Sequence, residues 1–139
     1  MEKVTGHRRK ARECALQVLY EMEMKDTEPH RTLESFWLVE DAAEDVRVFA
    51  TELVEGTYRN RKEIDVLVER HSLHWKLARM AVVDRNILRL AAYELISVHD
   101  VPMSVILNEA IEIAKKLGTG DSSAFINGIL DKVGKEVRK

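Results

Sequence analysis

Apolar residues recur along this chain at the spacing of one face of an α-helix, with charged residues filling the positions between. Ala11, Cys14, Ala15, Val18, Leu19 and Met22 follow the i, i+3, i+4, i+7, i+8, i+11 pattern and predict a helix with one buried stripe. Val46, Phe49, Ala50, Leu53, Val54 and Thr57 repeat that spacing, and Ile64, Leu67 and Val68 make a shorter stripe. Ile87, Leu88, Ala91 and Leu95 mark another helix, entered at Asp84, whose carboxylate suits a helix start. Ile106, Ala110, Ile113, Ala114 and Leu117 lie between Asp100-Val101-Pro102 and Gly118, with proline near the start and glycine just past the end. Phe125, Ile126, Ile129, Leu130 and Val133 form the last stripe, opened by Asp121 or Ser122. A short helix is expected within residues 30–38. Neither an alternating-polarity strand nor a long-period repeat interrupts the pattern. The expected fold class is all-α.

Only two prolines and six glycines punctuate 139 residues, so the breaks read as short loops within one domain. The segment Trp75–Val83 is the expected seam between an N-terminal helical group, about 1–74, and a C-terminal group, about 75–139. This length suffices to bury a sizeable core. No apolar run approaches the roughly 20 residues of a membrane helix. The start, Met1-Glu2-Lys3-Val4-Thr5-Gly6-His7-Arg8, has no apolar signal-peptide stretch. The expected location is therefore the cytoplasm. A single cysteine, Cys14, leaves no internal disulfide and no cysteine-rich zinc site.

The net charge of −2 argues against a nucleic-acid partner until it is partitioned. Residues 1–12 carry Lys3, Arg8, Arg9, Lys10 and Arg12 against Glu2 alone, a net of +4. Residues 21–55 carry eleven acids against three basic side chains, a net of −8. Such a chain can bind a polyanion at one face and another partner elsewhere.

Two segments offer chemistry. In Arg8-Arg9-Lys10-Ala11-Arg12 the apolar stripe begins at Ala11, so the arginines are expected along the exposed side of the first helix. Their planar forks suit phosphate oxygens and the splayed bases of single-stranded RNA. A solvated basic face explains the same residues equally well, although cations at a helix N-terminus oppose its dipole. The loop Leu117-Gly118-Thr119-Gly120-Asp121-Ser122-Ser123-Ala124-Phe125 leads into a helix N-terminus that could receive a phosphate. On residues alone it is more simply a C-capping glycine followed by an N-cap, with Phe125 in the core.

Catalytic patterns are weak. His71 and His74 have no committed third ligand. Glu109 and Glu112 are followed at salt-bridge spacing by Lys115 and Lys116. Cys14 sits on an apolar stripe as an inert thiol, and no nucleophile elbow accompanies the serines. Neither an enzymatic activity nor a metal or other cofactor is expected.

Three ordered segments carry a resemblance. They are Arg8-Arg9-Lys10-Ala11-Arg12-Glu13-Cys14-Ala15-Leu16-Gln17-Val18-Leu19-Tyr20, then Asp84-Arg85-Asn86-Ile87-Leu88-Arg89-Leu90-Ala91-Ala92-Tyr93-Glu94-Leu95, then Val101-Pro102 through Asn108-Glu109-Ala110-Ile111-Glu112-Ile113-Ala114-Lys115 to Phe125-Ile126-Asn127-Gly128-Ile129-Leu130-Asp131. Together the sequence resembles the NusB family of bacterial transcription antitermination factors over nearly its whole length. The resemblance implies about seven helices in two small bundles. It implies binding to the boxA element of nascent ribosomal RNA as a single strand. It also implies a heterodimer with the ribosomal protein NusE, within the antitermination complex on RNA polymerase. Some members self-associate, so a homodimer is a further implied state. Arg8, Arg9, Lys10 and Arg12 match the family's arginine-rich start, and Asp121, Ser122 and Phe125 match positions near bound RNA. Tyr20 and Asp84 resemble positions that contact NusE. Leu117 stands where the family often has an aromatic. A related fold opens some RNA cytosine methyltransferases, but no catalytic domain is expected after Lys139. The remaining alternative is a protein–protein adaptor using the acidic stretch, with no direct RNA role.

Overall fold

The computed structural model describes residues 2–73 and 75–138, with side chains from Gly6 onward. Among the described residues there are seven α-helices and no strand. The chain divides into two compact units, Met1–Arg59 and Asn60–Lys139.

In the first unit, α1 (Glu2–Lys25), α2 (Pro29–Val39) and α3 (Glu44–Arg59) pack together. Ala11, Cys14, Val46 and Ala50 form a buried cluster, with Phe36, Trp37, Ala42 and Phe49 packed against it. Helix α1 ends in a left-handed residue, Asp26, at φ 51°, and the Thr27 N–H closes back on the Met22 carbonyl at 3.0 Å. That is a Schellman closure with aspartate in the place usually held by glycine. Pro29 then occupies the first turn of α2, where its missing N–H costs nothing. The Glu28 side chain caps α2 by accepting from the Arg31 N–H. The short helix expected at 30–38 is thus Pro29–Val39.

In the second unit, α4 (Arg61–His71), α5 (Val82–Ser97), α6 (Met103–Leu117) and α7 (Ser122–Val137) form a four-helix group, with a 3-10 turn at Leu77–Arg79. Helix α4 packs on α5 and α7, and α7 also packs on α6. Two ion-pair clusters hold α4 in place. Arg89 of α5 forks onto Asp65 at 2.8 and 3.1 Å, while Arg70 and His71 both engage Glu136 of α7. The seam expected at Trp75–Val83 therefore lies inside the second unit, and the division falls at residues 59 and 60. Its physical reason is the Ile64, Leu67 and Val68 stripe, which is buried within this group.

Arg138, just past α7, closes the far end of α5. Its guanidinium donates to the carbonyls of Glu94, Leu95, Val98 and Val101 at 2.6 to 3.1 Å. Among the described residues, no helix is long and apolar enough to cross a membrane.

Candidate functional site

The basic arm lies on α1 in the first unit. Several of its basic side chains meet side chains of the following segments. Lys10 Nζ donates to Glu40 at 2.8 Å, and that hydrogen bond raises the lysine's pKa. His7 Nδ1 meets Asp45 at 2.7 Å, which holds the Asp45 carboxyl below its ordinary value. The Arg8 guanidinium carbon sits 4.3 Å from the centre of the Phe49 ring, and that of Arg12 sits at 5.8 Å. Arg47 stacks over Trp37 at 5.3 Å.

Exposure separates these cations. Arg9 and Lys10 are exposed and Arg8 is half-buried, but Arg12 is only 4% exposed. The expectation that Arg12 lies on the open side of α1 is therefore corrected. Leu16, one turn later, is also buried, so the covered face of α1 is wider than the Ala11–Met22 stripe. Tyr20 lies farther along the same helix, with its side chain 42% exposed. Cys14 is buried and its thiol is pushed up to about 11, chiefly by desolvation.

The loop after α6 is built around Gly118 and Ser122. The Gly118 N–H caps the Ala114 carbonyl at 2.8 Å. A Cβ at Gly118 would come within 2.6 Å of Ser122 Oγ and 2.8 Å of that carbonyl oxygen, so only glycine fits. Ser122 Oγ accepts from the Thr119 N–H at 2.9 Å and bonds the Thr119 hydroxyl at 3.2 Å. Ser122 is 2% exposed, and its hydroxyl organises the loop. Asp121 precedes α7 and is exposed.

Beside this loop is a cleft of about 260 Å³, lined by Trp75, Arg79, Met80, Ala81, Asp84, Thr119, Asp121, Ser122 and Phe125. It brings together Asp84, Asp121, Ser122 and Phe125, four residues that sequence reasoning had split between partner and RNA. Trp75 meets Phe125 edge-to-face at 6.3 Å, so Phe125 is half-buried at the cleft wall. Asp84 Oδ1 is buried without a hydrogen-bond partner among the described residues. A buried acceptor in that state is a place for an incoming donor. Leu117 is 43% exposed and does not line the cleft.

Trp75 and Arg79 also line the cleft and Phe49 meets Arg8; of these, the sequence signals only Trp75, a tryptophan outside every helical stripe. His71 is engaged by Glu136, and His74 lies outside the described residues.

The NusB family profile matches residues 9–135. "Transcription antitermination protein NusB" of Myxococcus xanthus is 46% identical over 138 residues, covering 96% of this chain and 99% of that protein. The solved structure of T. maritima NusB superposes with a TM-score of 0.86 at 37% identity, covering 95% and 93% of the two chains. A structure described as antitermination factors NusB and NusE in complex with dsRNA gives a TM-score of 0.85 at 27% identity, covering 94% and 97%.

Proposed function

This chain belongs to the NusB family, and on that basis we propose that it binds boxA RNA together with NusE as a transcription antitermination factor on RNA polymerase. The site of action is the bacterial cytoplasm. The whole chain, residues 1–139, acts as one RNA-binding domain. Arg8, Arg9 and Lys10 contact phosphates, and Arg12 adds charge from beneath them. Asp121 and Phe125 meet bases, within a loop that Ser122 shapes. Tyr20 and Asp84 contact NusE, the first through a half-exposed ring and the second through charge-assisted hydrogen bonds.

The observation that carries this reading is the cleft in the second unit, where Asp84 Oδ1 is buried without a partner alongside Asp121 and Phe125. A basic protein side chain or an exocyclic amino group satisfies that acceptor. Fluorescence anisotropy with a boxA oligonucleotide, against a scrambled RNA, tests the assignment with and without NusE. Each lost phosphate contact lowers the salt slope by about 0.7 on a single strand. An Arg8→Ala/Arg9→Ala variant should therefore bind more weakly, with a slope about 1.4 lower. No boxA binding, with or without NusE, would leave the adaptor reading instead.

A further inference from the structure

Trp75 and Arg79 line the cleft beside the Gly118 loop together with Asp84 and Phe125, all within the second unit. Trp75 meets Phe125 at an interplanar angle of 83°, so Phe125 covers at most one face of the indole, which is 51% exposed. The backbone around the indole is tied down. The Trp75 N–H closes on the Ser72 carbonyl at 3.1 Å, and the Leu77 N–H donates to the Glu69 carboxylate at 2.8 Å. Arg79 is exposed. Asp84 Oδ1 is a buried acceptor that no donor among the described residues reaches.

We propose that this cleft takes one unpaired RNA base bearing an amino group, stacked on Trp75, with Arg79 on the phosphate next to it. The inference rests on the reading that Asp121 and Phe125 meet RNA. An open indole face is a platform for any base, and a fixed backbone lowers the cost of ordering it. Selection falls to Asp84. A carboxylate accepts and does not donate, so it favours the exocyclic amino group of cytosine, adenine or guanine over uracil, whose carbonyl oxygens it repels. Asp84 and Asp121 also repel a phosphate, so the base enters and the backbone stays outside, where exposed Arg79 forks onto it. The cavity of about 260 Å³ has room for one base and none for a paired duplex. Asp84 meets the base through Oδ1, which leaves its second oxygen for NusE.

The test uses the full chain and a boxA oligonucleotide without NusE, so that the contact of Asp84 with that protein does not enter. Trp75→Ala should raise Kd about fivefold or more, and Trp75→Phe should stay within about threefold of wild type. RNA should quench indole fluorescence in the wild type and much less in Trp75→Phe, which answers the case in which Trp75→Ala fails to fold. Across a salt series Arg79→Ala should lower the slope by about 0.7, and Arg79→Lys should keep it. Replacing the amino-bearing bases of the oligonucleotide with uracil, one at a time, should find one position that weakens wild-type binding about fivefold. The same change should weaken Asp84→Asn by less than about twofold. Wild-type affinity in Trp75→Ala and Arg79→Ala, alongside weakened binding by Arg8→Ala/Arg9→Ala, overturns the cleft as an RNA site and leaves the arm in place. Loss of NusE capture by those two cleft variants, with RNA binding intact, gives the cleft to a basic side chain of NusE and also overturns the inference. Absence of any RNA binding by the wild type overturns the RNA reading itself, and the inference with it.

Discussion

Replacing Arg138 with alanine removes four hydrogen bonds from one end of α5 in a single step. The Glu94 carbonyl keeps a donor in the Val98 N–H at 2.9 Å, and the Val98 carbonyl keeps the Val101 N–H at 3.4 Å. The Leu95 and Val101 carbonyls lose their guanidinium donor, held at 2.9 and 2.6 Å. A buried acceptor deprived of its donor costs about 1–3 kcal/mol. Because Arg138 is half-exposed, water replaces part of the loss, and the expected total is about 2–4 kcal/mol. At about 3–4 °C per kcal/mol for a chain of this size, the melting temperature should fall roughly 6–16 °C. Arg138→Lys keeps a cation near the helix C-terminus, worth up to about 1 kcal/mol, but not the fork, so it should recover only a minority of the loss. Differential scanning calorimetry reads the shift, and amide exchange at Val98 and Val101 locates it. A change under about 2 °C with unaltered exchange would refute the account, since it would mean that water caps α5 as well as the guanidinium does.

Glu136→Gln should lower stability at pH 7. The hydrogen bonds from His71 and then Arg70 depress the Glu136 pKa, so its contribution is full above the unfolded value. It is lost as pH falls through the folded value, and urea titrations of variant and wild type should converge in strong acid. Cys14, with its thiol near 11, should resist Ellman's reagent at pH 8 and react only on unfolding; rapid native labelling would contradict its burial. Gly118→Ala should cost about 1–3 kcal/mol by driving a Cβ into Ser122 and the Ala114 carbonyl, seen as a lower urea midpoint. Tyr20→Ala/Asp84→Ala should abolish NusE capture in a pull-down while the free chain keeps its circular dichroism spectrum, and wild-type capture would remove both residues from that interface.

Helix positions were legible wherever a stripe of four or more apolar residues set the phase, as in α1, α3, α6 and α7. The end of α1 was less so, because its stop is Asp26 in a left-handed conformation and not a glycine. Arg12 shows where phase reasoning failed. One turn before Leu16 it shares that residue's buried side, and one ring it meets, Phe49, lies 37 positions away. The burial of Ser122 has a local cause that spacing does not show, a hydroxyl turned back onto Thr119 three residues earlier. The cleft depended on Trp75, Asp84 and the Asp121 loop meeting, and no spacing along the chain encodes that meeting. The family resemblance points to Asp84 and Phe125 individually, without placing them at one site.

The acids that fold back onto the arm have a kinetic consequence. Met1–Arg59 carries nine basic and thirteen acidic side chains, a net of −4, with Glu40 and Asp45 directly against Lys10 and His7. Beyond a Debye length, about 8 Å at physiological salt, an approaching polyanion meets that negative total and not the arm. Long-range attraction then does little to hasten encounter with this unit. Salt should act mainly on how long a bound RNA stays, so its dissociation rate should carry most of the ionic-strength dependence.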